Sequence, residues 1–441
     1  FHVCDYRGST PASGVWSFRL EPQGAGLKLA ESHQLIWGIA ATDVDYDWKG
    51  RVLVSDFIGG YQSHEDCRLI ALEASQPNNS EVVGEVEKTI ATDFSQKSST
   101  ELAKWMAHAD KRIRLAAQLE LSRRSEAIDL FTKATQSSNP IERLHGVWGL
   151  GIIARRGSAM SPSENWKKSQ QPVASTELRT QASKVLVSLL SHRDLEVRAN
   201  AIRALSEAPV AGDDLPLAQL ILDSSPKVRA FASIAAGRLG AAKFLPEVCQ
   251  MIKENADKDT VLRHAGVMAI EGMCKSAESL QVLGKDENSS IRLAVVIAQR
   301  RRVDPHVVEF IQDKSPIVAD EAIRAVYDMS LDQNRSAVAA LLDNLHSRAW
   351  TSFMLRRLIH NAYRVGGVEN AKRVTAVALD KKIPDEVRVE AIRLMSIWTN
   401  PYPVDQLTGH WSPLSKRSDD EVVDVLKLKV INVPGAEPSS T

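Results

Sequence analysis

Histidine and cysteine are the residues best suited to bind metals or to act as nucleophiles, and in this sequence they are scattered. The 441 residues include 11 His and four Cys. No HExxH, no CxxCH and no His/Cys group with metal-ligand spacing occurs. The GxSxG, GxxxxGKS/T and GxGxxG motifs are absent as well. We therefore expect no metal site, no covalently bound haem and no serine-hydrolase or nucleotide chemistry in this chain.

Acidic and basic side chains balance in number, with 55 Lys and Arg against 55 Asp and Glu. Duplex nucleic acid and anionic membrane surfaces both favour proteins with a basic excess. No window of about 18 apolar residues occurs that could cross a membrane as a helix. We expect no nucleic-acid partner and no transmembrane segment in this chain.

A short pattern recurs between residues 98 and 400 and indicates repeated α-helices. In its clearest copy, residues 194–205, apolar residues recur at helical spacing after an acidic cap. A helix pair of this length cannot bury its apolar stripe alone and must stack on its neighbours. The Arg residues of successive copies lie 31, 34 and 29 residues apart, at Arg198, Arg229, Arg263 and Arg292.

These copies, with the pattern Asp/Pro-x-x-Val-Arg-x-x-Ala, resemble HEAT repeats over about two-thirds of the chain. The resemblance implies that the recurring Asp and Arg pair between adjacent turns as a structural ladder. One copy, at residues 315–320, lacks the Arg, and we expect the ladder to weaken there. The expected ladder residues are Asp110, Arg114, Asp194, Arg198, Arg229, Arg263, Arg292, Asp385 and Arg388.

The first 75 residues have the pattern of β-structure instead. Apolar residues alternate over residues 14–20, and residues 47–50 are typical of a hairpin turn. The sequence therefore predicts a mainly α fold in which a HEAT-repeat α-solenoid follows a small antiparallel β segment. The expected domains are a β segment at 1–75, a linker at 76–97, the solenoid at 98–409 with an inserted loop at 158–177, and a tail at 410–441.

The β segment resembles the last blades of a sorbosone or glucose dehydrogenase-like β-propeller, on residues 1–18, 36–38, 41–45 and 52–56. With the HEAT repeats and residues 407–414, nearly the whole chain is similar to large exported proteins of planctomycetes. Members of that family join a propeller to HEAT repeats and a C-terminal c-type cytochrome, and are known as membrane-bound dehydrogenases. Because the chain opens on Phe1 within a strand-like run, we expect it to be a fragment, exported or periplasmic like its family.

The resemblance implies an oxidation in which the propeller funnel holds the substrate and a quinone, while haem c accepts the electrons. Seventy residues amount to about one and a half blades, and a propeller needs at least four, so we expect this fragment to be inactive and without a cofactor. Arg7 and Trp37 are candidates for binding the cofactor. Candidate funnel carboxylates are Asp5, Asp43, Asp45 and Asp56, although carboxylates in such strands and turns more often accept backbone N–H groups at blade corners.

Two functional hypotheses follow. In the first, the solenoid is a spacer of a sugar or alcohol dehydrogenase and positions the parent's own cytochrome domain. In the second, the solenoid is a non-enzymatic module whose concave face binds a protein partner through exposed aromatic groups such as Trp350, Phe353 and Tyr363. The first is the main prediction for the parent protein, and the second is the alternative for this chain alone.

Overall fold

The computed structural model describes residues 1–58, 66–75, 80–156, 175–208, 210, 212–423 and 425. The predicted inserted loop, apart from its last three residues, and the end of the predicted tail lie outside the described residues. The chain divides into two compact units, Phe1–Met273 and Cys274–Thr441. None of the helices described is long and apolar enough to cross a membrane.

Strands come first in the chain and helices follow. The strands are β1 (His2–Asp5), β2 (Gly14–Gln23), β3 (Gly26–Trp37), β4 (Ala41–Tyr46), β5 (Val52–Asp56) and β6 (Arg68–Leu72). The helices of the first unit are α1 (Ser80–Ile90), α2 (Ser99–Trp105), α3 (Lys111–Leu121), α4 (Ala127–Ala134), α5 (Pro140–Arg155), α6 (Thr176–Ser188), α7 (Leu195–Leu205), α8 (Leu217–Ile221), α9 (Pro226–Arg238), α10 (Leu245–Asn255) and α11 (Thr260–Met273). Those of the second unit are α12 (Ala277–Leu283), α13 (Ser289–Arg301), α14 (Pro316–Asp328), α15 (Arg335–Ala339), α16 (Ser352–Val365), α17 (Val368–Leu379) and α18 (Asp385–Ser396).

The strands form two antiparallel three-stranded sheets, ordered β1-β2-β3 and β4-β5-β6. Alternating apolar residues from both sheets meet in one small core around Val15, Ile39, Ala41 and Val54. The turn at residues 47–50 closes as its sequence indicates, because Gly50 adopts a φ of +81° and donates its N–H to the Asp47 carbonyl at 3.1 Å.

In the first unit the helices α3, α5, α7, α9 and α11 pack side by side in one layer. The helices that alternate with them in the chain, α2, α4, α6, α8 and α10, pack against that layer. Small residues allow close helix contact: a Cβ added to Gly237 on α9 would lie 2.5 Å from the Met268 carbonyl oxygen of α11. The layer thus repeats one helix pair several times.

The second unit repeats the arrangement. Here α13, α14, α16 and α18 pack successively, while α12, α15 and α17 lie beside them. The Tyr327 hydroxyl of α14 donates to Asp405 Oδ2 at 2.7 Å, and Arg364 of α16 donates to the same oxygen at 3.0 Å, which attaches the segment after α18 to the helices. The prediction of a mainly α, HEAT-repeat solenoid after a small antiparallel β segment is confirmed.

One predicted boundary differs from the structure. The expected linker at 76–97 includes helix α1 and a short 3-10 helix, Phe94–Gln96. Helix α1 forms because its sequence is amphipathic, and Val86 is buried.

Candidate functional site

The cofactor candidates Arg7 and Trp37 lie together with Asp5. Arg7 Nε donates to Asp5 Oδ2 at 2.9 Å, and the guanidinium lies 5.8 Å from the Trp37 ring centre. Trp16, which the sequence analysis did not select, donates its indole N–H to Asp5 at 3.0 Å and packs edge-on against Trp37. The hydrogen bonds from Arg7 and Trp16 lower the pKa of Asp5. The cluster is therefore an ion pair between two indoles, with Arg7 exposed.

The other three funnel candidates have separate partners. Asp56 is buried, accepts the Ala40 N–H at 2.9 Å and pairs with Arg68 at 3.0 Å. Asp43 and Asp45 are exposed, and each accepts the N–H of the next residue at 2.8 Å. These are the backbone-accepting roles that the sequence left open as the alternative.

Two of the repeated Arg residues form an ion pair with a carboxylate in the loop before the next helix of the layer. Arg198 Nη2 donates to Asp223 Oδ1 at 3.0 Å, and Arg292 Nε donates to Asp313 Oδ2 at 2.7 Å. Arg198 also donates to the carbonyl of His192 at 2.8 Å, in the turn before its own helix. Each such Arg therefore fastens one turn to the next repeat.

Asp194 pairs with an Arg that the sequence analysis missed. Arg143 Nη2 donates to Asp194 Oδ2 at 2.7 Å, while Asp194 Oδ1 caps α7 through the Glu196 N–H at 2.9 Å. Burial works to raise the pKa of Asp194, but the hydrogen bonds from Arg143 and Glu196 outweigh it and lower that pKa. Arg143 does not match the Val-Arg pattern of the repeats, because Glu142 precedes it in place of Val.

Other ladder positions depart from this geometry. Asp110 binds Arg112, Asp385 binds Arg388 of its own helix at 2.8 Å, and at the copy without an Arg the carboxylate of Asp320 contacts Arg348 instead. Arg229 and Arg263 have no carboxylate partner within the part of the chain that the structure describes. Arg114 donates its Nε–H to His145 Nε2 at 3.2 Å.

A candidate binding surface lies on α5, α7 and α9, and we name it the tryptophan–arginine surface: Trp148, Arg155, Arg203 and Phe231. Trp148 is 39% exposed. Its indole N–H donates to Asn200 Oδ1 at 2.9 Å, and its ring packs edge-on against His145. An exposed indole is thus held in one orientation by Asn200 of the neighbouring helix α7 and by His145 of its own helix.

The same surface continues from Trp148 along α5 and across α7 to α9. Arg203 lies one turn beyond Asn200 on α7, with its guanidinium 6.0 Å from the ring centre of Phe231 on α9. Arg155, two turns after Trp148, pairs with Glu207, which also accepts from Arg238 at 3.3 Å. Sequence reasoning missed this surface because its members come from three helices, α5, α7 and α9, which meet only through packing.

The three aromatic residues predicted to bind a partner in the second unit do not form one exposed surface. Phe353 is exposed under the Arg357 guanidinium, and the Trp350 indole N–H donates to the Leu345 carbonyl at 2.8 Å. Tyr363, in contrast, is only 6% exposed, so its prediction as an exposed contact is wrong. Trp398 and the Arg417 guanidinium cover its ring.

The first unit also contains an open cavity of about 670 Å³ between α6 and the residues Val210, Asp214 and Leu215. Cationic and hydroxyl groups of α6 face it, with Asp214 opposite. Arg179 is already bound, since it donates to the Arg156 carbonyl at 3.2 Å and to the Thr176 hydroxyl at 3.0 Å. No group of His, Cys, Asp and Glu with metal-site geometry occurs among the residues described.

No family model matches the chain, and no curated protein matches it. Several solved structures are similar in part. An archaeal HEAT-like repeats protein from Thermococcus onnurineus NA1 is 12% identical over 68% of this chain and 97% of that chain, with a TM-score of 0.26. The CpcE and CpcF complex of phycocyanin lyase from Nostoc sp. PCC7120 is 15% identical over 69% and 94%, with a TM-score of 0.28. Kap95p, solved with RanGDP, is 12% identical over 77% of this chain and 44% of that chain, with a TM-score of 0.37.

Proposed function

We propose that this chain is a repeat scaffold that binds a protein partner through the tryptophan–arginine surface. The observation that carries the proposal is Trp148, a large apolar side chain that is exposed yet fixed by its hydrogen bond to Asn200. Trp and Arg are enriched among residues that contribute most to protein binding. An indole already held in place loses little conformational entropy when a partner covers it.

Charge indicates the chemistry of the partner. Arg155 and Arg238 share the single carboxylate of Glu207, and Arg203 lies on the Phe231 ring. The surface therefore carries more positive than negative charge, although the chain as a whole is neutral. We infer a partner segment that offers an apolar group to Trp148 and carboxylates to the arginines.

The test compares the proteins retained from host extract by matched variants of the full chain. Trp148→Ala should lose a partner that wild type retains, because truncation of a central Trp typically costs at least ~2 kcal/mol of binding free energy. Trp411→Ala, at an exposed Trp of the second unit, should retain it. Arg203→Glu should weaken retention more than Arg203→Lys. Equal retention by Trp148→Ala and wild type would contradict the proposal.

A second candidate is the exported propeller–HEAT–cytochrome oxidoreductase that the family resemblance implies, with the helices as its scaffold. The antiparallel three-stranded order of both sheets favours it, because propeller blades are antiparallel meanders. The residues present do not fit a quinone site, since Asp5 already neutralises Arg7 and the remaining carboxylates bind backbone or Arg68. In this candidate the quinone and haem c are held by other parts of the parent protein.

The open reading frame around this chain separates the two candidates. Further blade sequences before Phe1 and a CxxCH after Thr441 would support the oxidoreductase. A start codon directly before Phe1 and a stop codon directly after Thr441 would contradict it and leave the binding scaffold.

A further inference from the structure

The β2–β3 hairpin extends beyond the sheet to which it belongs. Strand β1 pairs with β2 only from Gly14 to Ser17, so the distal part of the hairpin has two strands. Leu27 and Leu29 on β3 are more than half exposed there. A two-stranded ribbon is marginally stable in water without a further contact. The distal part therefore depends on what its tip touches.

The tip of the hairpin is docked on the first turn of α11. The Ala25 N–H donates to Asp259 Oδ2 at 2.7 Å, across 234 residues of sequence. Asp259 Oδ1 at the same time caps α11 by accepting the Val261 N–H at 2.8 Å. One carboxylate thus joins the hairpin to the helix.

The two glycines beside Ala25 allow this contact. A Cβ on Gly24 would lie 2.2 Å from Asp259 Oδ2, and a Cβ on Gly26 would lie 2.7 Å from Val261 Cγ2. Gly24 also has a φ of +56°, which favours glycine. The tip is therefore shaped to fit against α11.

The base of the sheets is attached at the other end of the helix layer. Arg112, in the first turn of α3, donates to the Tyr46 carbonyl at 3.0 Å. Asp110 holds the guanidinium in place, and this hydrogen bond raises the pKa of Arg112, as do the charges of Asp45 and Asp47. The Tyr46 hydroxyl contacts His2, which pairs with Ser17 of β2.

The two attachments enclose the whole layer from α3 to α11. Four interhelical steps of about 8–10 Å separate these helices along the layer, a path of about 32–40 Å. The hairpin spans six residues from Ser17 to Gln23, about 20 Å at the rise of a strand. The hairpin therefore covers about half of this path, and Tyr46 and His2 connect its base to α3.

We infer that the β2–β3 hairpin is a strap that holds α3 and α11 at a fixed separation and so limits flexing of the five-helix layer. The strap is independent of the proposed function. One consequence rests on that function: because α5, α7 and α9 lie between the attachments, the strap also fixes the spacing within the tryptophan–arginine surface. A substitution at the contact between the tip and α11 can abolish this docking.

A disulfide tests the docking directly. The Cβ position of Gly26 lies 3.8 Å from Val261 Cβ, which is the usual separation in a disulfide. The full chain with Gly26→Cys and Val261→Cys should form this bond on mild oxidation, as peptide mapping by mass spectrometry will show. The control pair Leu29→Cys and Val261→Cys should not form it, because Leu29 lies three residues, about 10 Å, farther from the tip. Failure of the first pair to cross-link would overturn the docking.

Distance measurement tests the strap. Spin labels on unnatural residues at the exposed positions Leu115 of α3 and His264 of α11 report the separation by pulsed electron resonance. Asp259→Asn keeps an oxygen to cap α11 but places an N–H group opposite the Ala25 N–H. It should broaden the distance distribution and shift it to longer values.

The cross-link serves as the rescue in the same experiment. Oxidised Gly26→Cys with Val261→Cys should restore the narrow distribution in the Asp259→Asn background, and reduction should abolish the rescue. An unchanged distribution in Asp259→Asn, with the helix content of wild type, would overturn the strap. That result would leave the effect of Trp148→Ala on partner binding untouched, so the two proposals fail separately.

Discussion

At the scale of single residues, the contribution of a repeated Arg to stability depends on how deeply its ion pair is buried. Arg292 and Asp313 are 7% and 9% exposed, and two hydrogen bonds of 2.7 and 2.8 Å join them. Burial works to raise the pKa of Asp313, but the hydrogen bonds from Arg292 outweigh it and leave that pKa lowered. The pair is therefore charged inside the protein.

Asp313→Ala should lower the free energy of unfolding by about 3–5 kcal/mol, because it leaves the Arg292 charge buried and unpaired. Glu369→Ala removes an exposed pair with Lys372 and should cost at most about 1 kcal/mol. Urea unfolding followed by circular dichroism measures both. Equal losses in the free energy of unfolding would contradict the prediction that the buried pair contributes more than the exposed one.

His145 predicts a pH dependence at the α3–α5 contact. Its burial, together with the nearby Arg114 charge, lowers its pKa to about 4. The unfolded chain has a His pKa of about 6.5 and binds the proton first. The part of the free energy of unfolding that depends on His145 should therefore be complete above about pH 6.5 and should fall as the pH drops toward 4. His145→Gln, which does not titrate, should show a shallower loss in urea midpoints over this range, and an identical slope would contradict the assignment.

At the scale of elements, helix spacing within the layer is set by small residues. Gly237 on α9 faces the Met268 backbone of α11, so Gly237→Ala forces the two helices apart. We expect a loss of about 1–3 kcal/mol from overpacking. Gly84 on α1 has no atom within 4 Å of its added Cβ, and Gly84→Ala should be neutral or stabilising by up to about 1 kcal/mol. Thermal unfolding distinguishes these opposite signs, and a destabilised Gly84→Ala with an unaffected Gly237→Ala would refute the packing argument.

The elements themselves were predictable because their signals are local. The Asp194 cap and the apolar stripe after it lie within a dozen residues, and so does the alternation around Trp16. The binding surface was not predictable, because Trp148 and Asn200 are 52 residues apart and meet only after the helices pack. The contact of Ala25 with Asp259 leaves no sequence pattern at all. Tyr363 was misjudged for the same reason, since Trp398 and Arg417 come from later segments.

At the scale of the whole molecule, each of the two compact units is built from repeated helix pairs, the fold of a HEAT-repeat solenoid. In the first unit the small sheets extend a hairpin to α11 and thus act on the helix layer rather than standing apart from it. Asp5, Arg7 and Trp37 contact one another, whereas the tryptophan–arginine surface presents an exposed indole and arginines to solvent. This contrast is why we propose that the chain binds a protein partner.

The most direct test of this proposal is photocrosslinking in the native host. A photoreactive residue replaces Ile152, which lies one turn after Trp148 on α5. The account predicts an adduct with a partner protein, lost when Trp148→Ala is added and absent when the reactive residue replaces the exposed Val282 of the second unit. No adduct at 152, or an adduct unaffected by Trp148→Ala, would contradict it.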